Sequence, residues 1–258
     1  MKTITKLTTV LALLAPLAAT AQDYNLDGDV SFSSGVDYSS GDYGTTTDTD
    51  IIYVPFALKY KTDRWSTKLT VPYISIRGTG SVRPEVGAVA ASSATRTTES
   101  GLGDVVASGT YTFYEDLENE FFADITGKVK FGTADDTKGL GTGEMDYTVQ
   151  LDVMKVFGDI TPMAGFGYKN LGDSSTLTLN NVLTWNVGVD YKVDNRTNIG
   201  AFYDWREKAT STSKNQQDAS IYLSYKANDN LKLQPYAGMG LSDGSPDLNL
   251  GLTFTYTY

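Results

Sequence analysis

The sequence predicts an all-β chain that closes into a transmembrane antiparallel up-and-down β-barrel of about 12 strands, with short periplasmic turns and longer extracellular loops. Three observations carry this expectation. Apolar residues recur at every second position in segment after segment, the connections between segments alternate between short and long, and aromatic residues gather beside the short connections.

The chain opens on a leader. Lys2 and Lys6 precede an apolar run over residues 7–17, and Ala19-Thr20-Ala21 stands before Gln22. That is the layout of a cleaved secretory signal over residues 1–21, which leaves 22–258 as the barrel. The apolar run is well short of the roughly 20 residues a membrane-spanning helix needs, and no longer run follows.

In an extended strand successive side chains point to opposite faces, so each alternating segment makes one apolar and one polar face. In chain order the segments with an apolar face are Val30–Tyr38, Ile52–Tyr60, Trp65–Tyr73, Val105–Phe113, Phe121–Phe131 and Met145–Val153. Then come Ile160–Tyr168, Leu183–Tyr191, Ile199–Trp205, Ala219–Tyr225, Leu231–Leu241 and Leu248–Tyr258. Short polar connections at 61–64, 115–119, 158–159, 193–196 and 227–230 interleave with longer ones at 41–49, 78–100, 132–143, 170–178 and 207–217. Tyr60, Trp65, Tyr114, Phe121, Phe157, Tyr191, Tyr225 and Tyr258 cluster at the short turns, as an interfacial girdle does. The closing strand, with Phe254, Tyr256 and Tyr258 on one face, resembles the signal read by the barrel-assembly machinery.

Without Lys2 and Lys6 the chain keeps 19 basic against 31 acidic residues, a balance that repels phosphate backbones and excludes nucleic acid as a partner. There is no Cys, hence no disulfide framework or thiolate site. There is no His, which removes the Ser-His-Asp triad, the usual zinc sites and the histidine general base. No metal or cofactor is expected.

The second face of each segment is polar throughout. Its charged members are Asp29, Asp37, Lys68, Lys169, Lys226 and Lys232 together with the candidate pore-lining residues Asp104, Asp124, Lys128, Lys130, Asp146, Asp152, Asp190, Lys192, Asp204 and Arg206. Acids and bases are nearly balanced, so no ion preference follows. The set reads either as a ladder of wall-bracing pairs, with Lys130 opposite Asp146, or as a mixed-charge constriction. Asp124 and Asp152 are the acid/base pair an enzyme would need, but carboxylates inside polar barrels are mostly structural, and no enzyme is expected. Gly139–Glu144, "GLGTGE", lacks the Gly-Lys-Ser/Thr of a phosphate loop and serves as a hairpin loop without a ligand. Acidic loop residues such as Asp42, Asp48, Asp135 and Asp243 either attract divalent cations or are simply solvated.

The connection 78–100 is the longest, at 23 residues. Its Val82, Val86, Ala88 and Val89 give it enough apolar content to fold onto the barrel mouth, where Arg83 and Arg96 would face the acidic rim and the loop would gate access; the alternative reading is a mobile surface loop.

"GLGDVVASGTYTFYED" at 101–116, and 127–173 with its Gly132–Tyr147 hairpin and Gly165–Tyr168, resemble the outer-membrane transporters named after the MetA pathway of phenol degradation. Where that family has a proline at the end of the hairpin's first strand, this chain has Phe131-Gly132-Thr133. The resemblance implies a monomeric barrel that passes small, hydrophobic or aromatic compounds. The expected function is therefore passive uptake of small-molecule solutes through the bacterial outer membrane, among outer-membrane lipid and lipopolysaccharide. A non-conducting barrel with a structural or surface-binding role is the second reading.

Overall fold

The computed structural model describes residues 28–89, 95–174 and 177–258; the expected leader lies outside them. Strands β1 (Asp29–Gly41), β2 (Thr49–Lys61) and β3 (Trp65–Gly78) are followed by a small hairpin, β4 (Val82–Arg83) and β5 (Gly87–Ala88). Next come β6 (Thr97–Leu102), β7 (Val105–Asp116), β8 (Phe121–Phe131), β9 (Asp146–Lys155) and β10 (Ile160–Asn170). The chain ends with β11 (Val182–Lys192), β12 (Thr197–Arg206), β13 (Gln216–Lys226), β14 (Leu231–Gly240) and β15 (Leu248–Thr257).

Each strand pairs antiparallel with its neighbours, and β15 closes on β1 from Ser31↔Thr257 to Ser40↔Leu248. The β6 and β7 segments are one barrel strand in two pieces: β3 pairs with β7 over Trp65–Thr70 and with β6 over Tyr73–Gly78. The break falls beside Pro72, which has no N–H to donate; Gly103 N bridges the gap by bonding Pro72 O at 2.9 Å. Counted this way the barrel has the expected twelve staves and no free edge.

The outer face is apolar along its middle. Val149 is 54% exposed, Phe166 53% and Ile221 61%, and their outward neighbours are of the same kind. An exposed belt of this extent calls for hydrocarbon, not water, around it. At the short-turn end aromatic rings meet edge to face: Tyr60 with Trp65 at 5.4 Å, Tyr114 with Phe121 at 5.8 Å, and Tyr256 with Tyr258 at 5.0 Å. Phe254 packs on Phe32 of the closing pair at 6.3 Å.

Three expectations are corrected. The connection after β3 is shorter than 78–100, because Thr97–Leu102 pairs back onto β3, and it carries a hairpin of its own. A bulge between Thr112 and Tyr114 interrupts the alternation of β7, leaving both Phe113 and Tyr114 half exposed. The inner face is not polar throughout: Ile74, Ile76, Ala134 and Leu140 form a buried cluster inside the long-loop mouth, against which Ile51 and Tyr53 pack.

Candidate functional site: the lumen and the strap across its mouth

The hairpin β4–β5 forms a strap. It leaves the barrel from β3, yet its hydrogen bonds and ion pair reach β10, β12 and the loop that follows β12, and β12 is six staves from β3 in either direction. Arg206, at the end of β12, donates from Nη1 to Glu85 O and from Nη2 to Val86 O, the latter at 2.8 Å. Thr210 Oγ1 donates to Ala88 O at 2.9 Å. Val86 packs with Leu171, Leu179, Val182 and Ala209 in a buried apolar cluster. At the tip Glu85 adopts φ 60°, a left-handed conformation that costs a non-glycine residue of order 1–3 kcal/mol and persists where surrounding contacts impose it. Lys169 supplies one such contact: its Nζ lies 2.7 Å from Glu85 Oε2 and holds the carboxyl down at about 2. Between strap and wall lies a cavity of about 380 Å³ lined by Tyr43, Tyr53, Arg83, Glu85, Asp104 and Lys130 among others.

Below the strap the charges are paired. Lys130 Nζ lies 3.0 Å from Asp146 Oδ2 and 3.2 Å from Asp104 Oδ2, and Lys169 Nζ lies 3.5 Å from Asp146. The remaining oxygens pin the neighbouring loops: Ala134 N donates to Asp104 Oδ1 at 2.9 Å and Gly172 N to Asp146 Oδ1 at 3.1 Å. Lys130 is thus opposite Asp146 as expected, and the group is a brace. The loop Gly139–Glu144 is part of the same mouth, since Leu140 is buried under it and a Cβ on Gly139 would lie 2.6 Å from Arg83 Nη1. Arg83 donates to Gly80 O at 2.9 Å, while Arg96 pairs with Asp50 at 3.0 Å on the rim. The two arginines therefore sit apart.

Deeper in the lumen the structure puts carboxylates side by side. Asp124 faces Asp152 across β8 and β9, and Asp204 faces Asp218 across β12 and β13. Asp152 Oδ1 accepts from Gln150 Nε2 at 2.7 Å, and Lys128 Nζ donates to Gln150 Oε1 at 3.3 Å. Asp190 accepts from Tyr222 OH and Asn198 Nδ2. Lys192 stands at the short-turn rim and forms no ion pair among the described residues. Among those residues no group of three or more acidic side chains is placed to hold a metal ion.

The lining also contains residues that sequence reading missed: Lys59 and Lys61 on β2, Phe202 on β12 and Asp218 on β13. The signal was present as parity, since Lys59 and Lys61 alternate with Leu58 and Tyr60, and Phe202 shares the register of Asp204. Their inclusion leaves acids and bases nearly balanced in number, but the structure separates them by height. Lysines collect at the short-turn end, where Lys59 faces Lys68 and Lys226 faces Lys232 across adjacent strands.

No protein-family model matches the sequence, and no curated protein matches it either. Solved structures do resemble it in fold. The COG4313 outer-membrane channel from Pseudomonas putida F1 superposes with a TM-score of 0.70 at 15% identity, over 91% of this chain and 97% of that one. The KdgM porin gives 0.52 at 14% identity, over 88% and 99%, and the NanC porin 0.51 at 11%, over 88% and 98%. The chain thus has the fold of the outer-membrane channel barrels.

Proposed function

We propose that this protein is an outer-membrane channel for passive uptake of small solutes, exported by the leader at 1–21 and inserted as a monomer among lipid and lipopolysaccharide by the barrel-assembly machinery. The observation that carries the reading is the inversion of polarity: a continuous apolar belt outside, and inside a lumen lined by Lys, Asp, Asn, Gln, Ser and Thr. Such an interior stays hydrated, and a hydrated lumen closed by strands is a path through the membrane. The short turns face the periplasm and the strap lies at the extracellular mouth, where it sets the conducting radius. The motif resemblance to the MetA-pathway transporters supports small aromatic or hydrophobic compounds as cargo.

Liposome swelling tests the reading. Proteoliposomes containing the purified chain should swell in small neutral solutes faster than protein-free liposomes, and the rate should fall as solute size grows. Swelling indistinguishable from protein-free liposomes, for the full chain and for one lacking residues 82–95, would leave the non-conducting barrel as the answer.

A further inference from the structure

The periplasmic vestibule, a space of about 690 Å³, is lined by six lysines (Lys59, Lys61, Lys68, Lys128, Lys226 and Lys232) against three aspartates. Lys59 directly opposite Lys68, and Lys226 directly opposite Lys232, are arrangements that destabilise a sheet. Among the described residues none of the six lysines forms an ion pair, whereas Lys130 and Lys169 at the other end are both bound to carboxylates. The vestibule's carboxylates, Asp29, Asp152 and Asp229, offset only half of the six ammonium charges, and Asp152 is turned to Gln150 by a hydrogen bond of 2.7 Å. A vestibule with such an excess of ammonium groups between low-dielectric walls concentrates mobile anions.

A second observation comes from the adjoining wall. Phe202 and Tyr222 are stacked at 6.0 Å with 25° between their planes, and Tyr236 continues the row on β14. These rings lie flat on the backbone of the neighbouring strand. A Cβ on Gly188 would stand 2.3 Å from Phe202 Cε1, and one on Gly200 2.2 Å from Tyr222 Cε1, so only glycine lets the rings down. Each ring has one face against the wall and the other toward the lumen. Lys232 borders both the aromatic recess and the lysine vestibule.

From this juxtaposition we infer that the periplasmic half of the lumen is a binding site for small aromatic carboxylates. The solute's ring lies along Phe202, Tyr222 and Tyr236, and its carboxylate faces Lys232 and the lysines around it. The inference rests on the channel reading and gives that channel a substrate class: planar organic anions.

The test uses the full mature chain, and the chain lacking residues 82–95, in planar bilayers. Across a KCl gradient the zero-current potential should have the sign of chloride preference, and benzoate should reduce the chloride current more than equal acetate or benzyl alcohol. Combining Lys59→Gln, Lys68→Gln and Lys232→Gln should abolish the chloride preference and the benzoate effect while conductance persists, which shows that the barrel still assembles. Phe202→Leu with Tyr222→Leu should abolish the advantage of benzoate over acetate and keep the chloride preference. A cation preference in the unaltered chain, equal effects of benzoate and acetate, or a chloride preference that survives the lysine replacements overturns the site and leaves the channel standing. No conductance from either chain overturns the channel, and the site with it.

Discussion

Lys169, on β10, holds Glu85, on a hairpin rooted in the far wall, at 2.7 Å between Nζ and Oε2. The pair fastens the strap across the mouth, together with the two bonds from Arg206. Because Lys169 lowers the Glu85 carboxyl to about 2, the pair's contribution is complete above the ordinary carboxyl value and is lost as pH falls toward about 2. Glu85 is half exposed, so screening limits the pair to roughly 0.2–1 kcal/mol. Single-channel conductance should therefore rise between about pH 4 and pH 2 in the unaltered chain and change far less in Lys169→Met. Equal responses would remove the pair from control of the strap.

Lys130 is a different case, because it is buried between Asp104 and Asp146, itself 1% exposed. Lys130→Met leaves two carboxylates in the brace without a cation on β8 and should cost about 3–5 kcal/mol in urea unfolding from detergent. Combining it with Asp146→Asn should recover part of the loss.

The outward register is tested by neighbours. Val149→Arg places a charge at mid-belt and should cost about 2–4 kcal/mol, whereas Gln150→Arg, on the lumen side between Lys128 and Asp152, should be much milder. Equal costs would move the register by one residue.

Glycine supplies a contrast inside one wall. Gly200→Val drives a side chain into Tyr222 and should destabilise the barrel by about 1–3 kcal/mol. Gly109→Ala, with nothing within 4 Å of the new Cβ, should be neutral or slightly stabilising.

The staves were legible because a barrel wall separates oil from water, and that separation writes period-two alternation into every segment from Val30 to Tyr258. The brace was partly legible: Lys130 and Asp146 follow from the hairpin between them, but Asp104 and Lys169 join through the registers of β7 on β8 and of β10 on β9, which the sequence does not fix. Ile51, Ile74 and Leu140 broke the pattern because the loop between β8 and β9 packs Ala134 and Leu140 on the inner face of β2 and β3, a contact between segments distant in sequence. The split of charge between the two ends was missed for another reason. Counting acids and bases ignores height along the barrel, and Lys59 sits on the inward parity of a strand whose outward face had drawn the attention.

The central claim, a conducting lumen under a strap, is tested most directly by single-channel conductance in planar bilayers, comparing the full chain with one lacking residues 82–95. Both chains should show discrete openings, with larger steps from the shortened one. Equal steps would contradict the strap's role, and silence from both would contradict the channel.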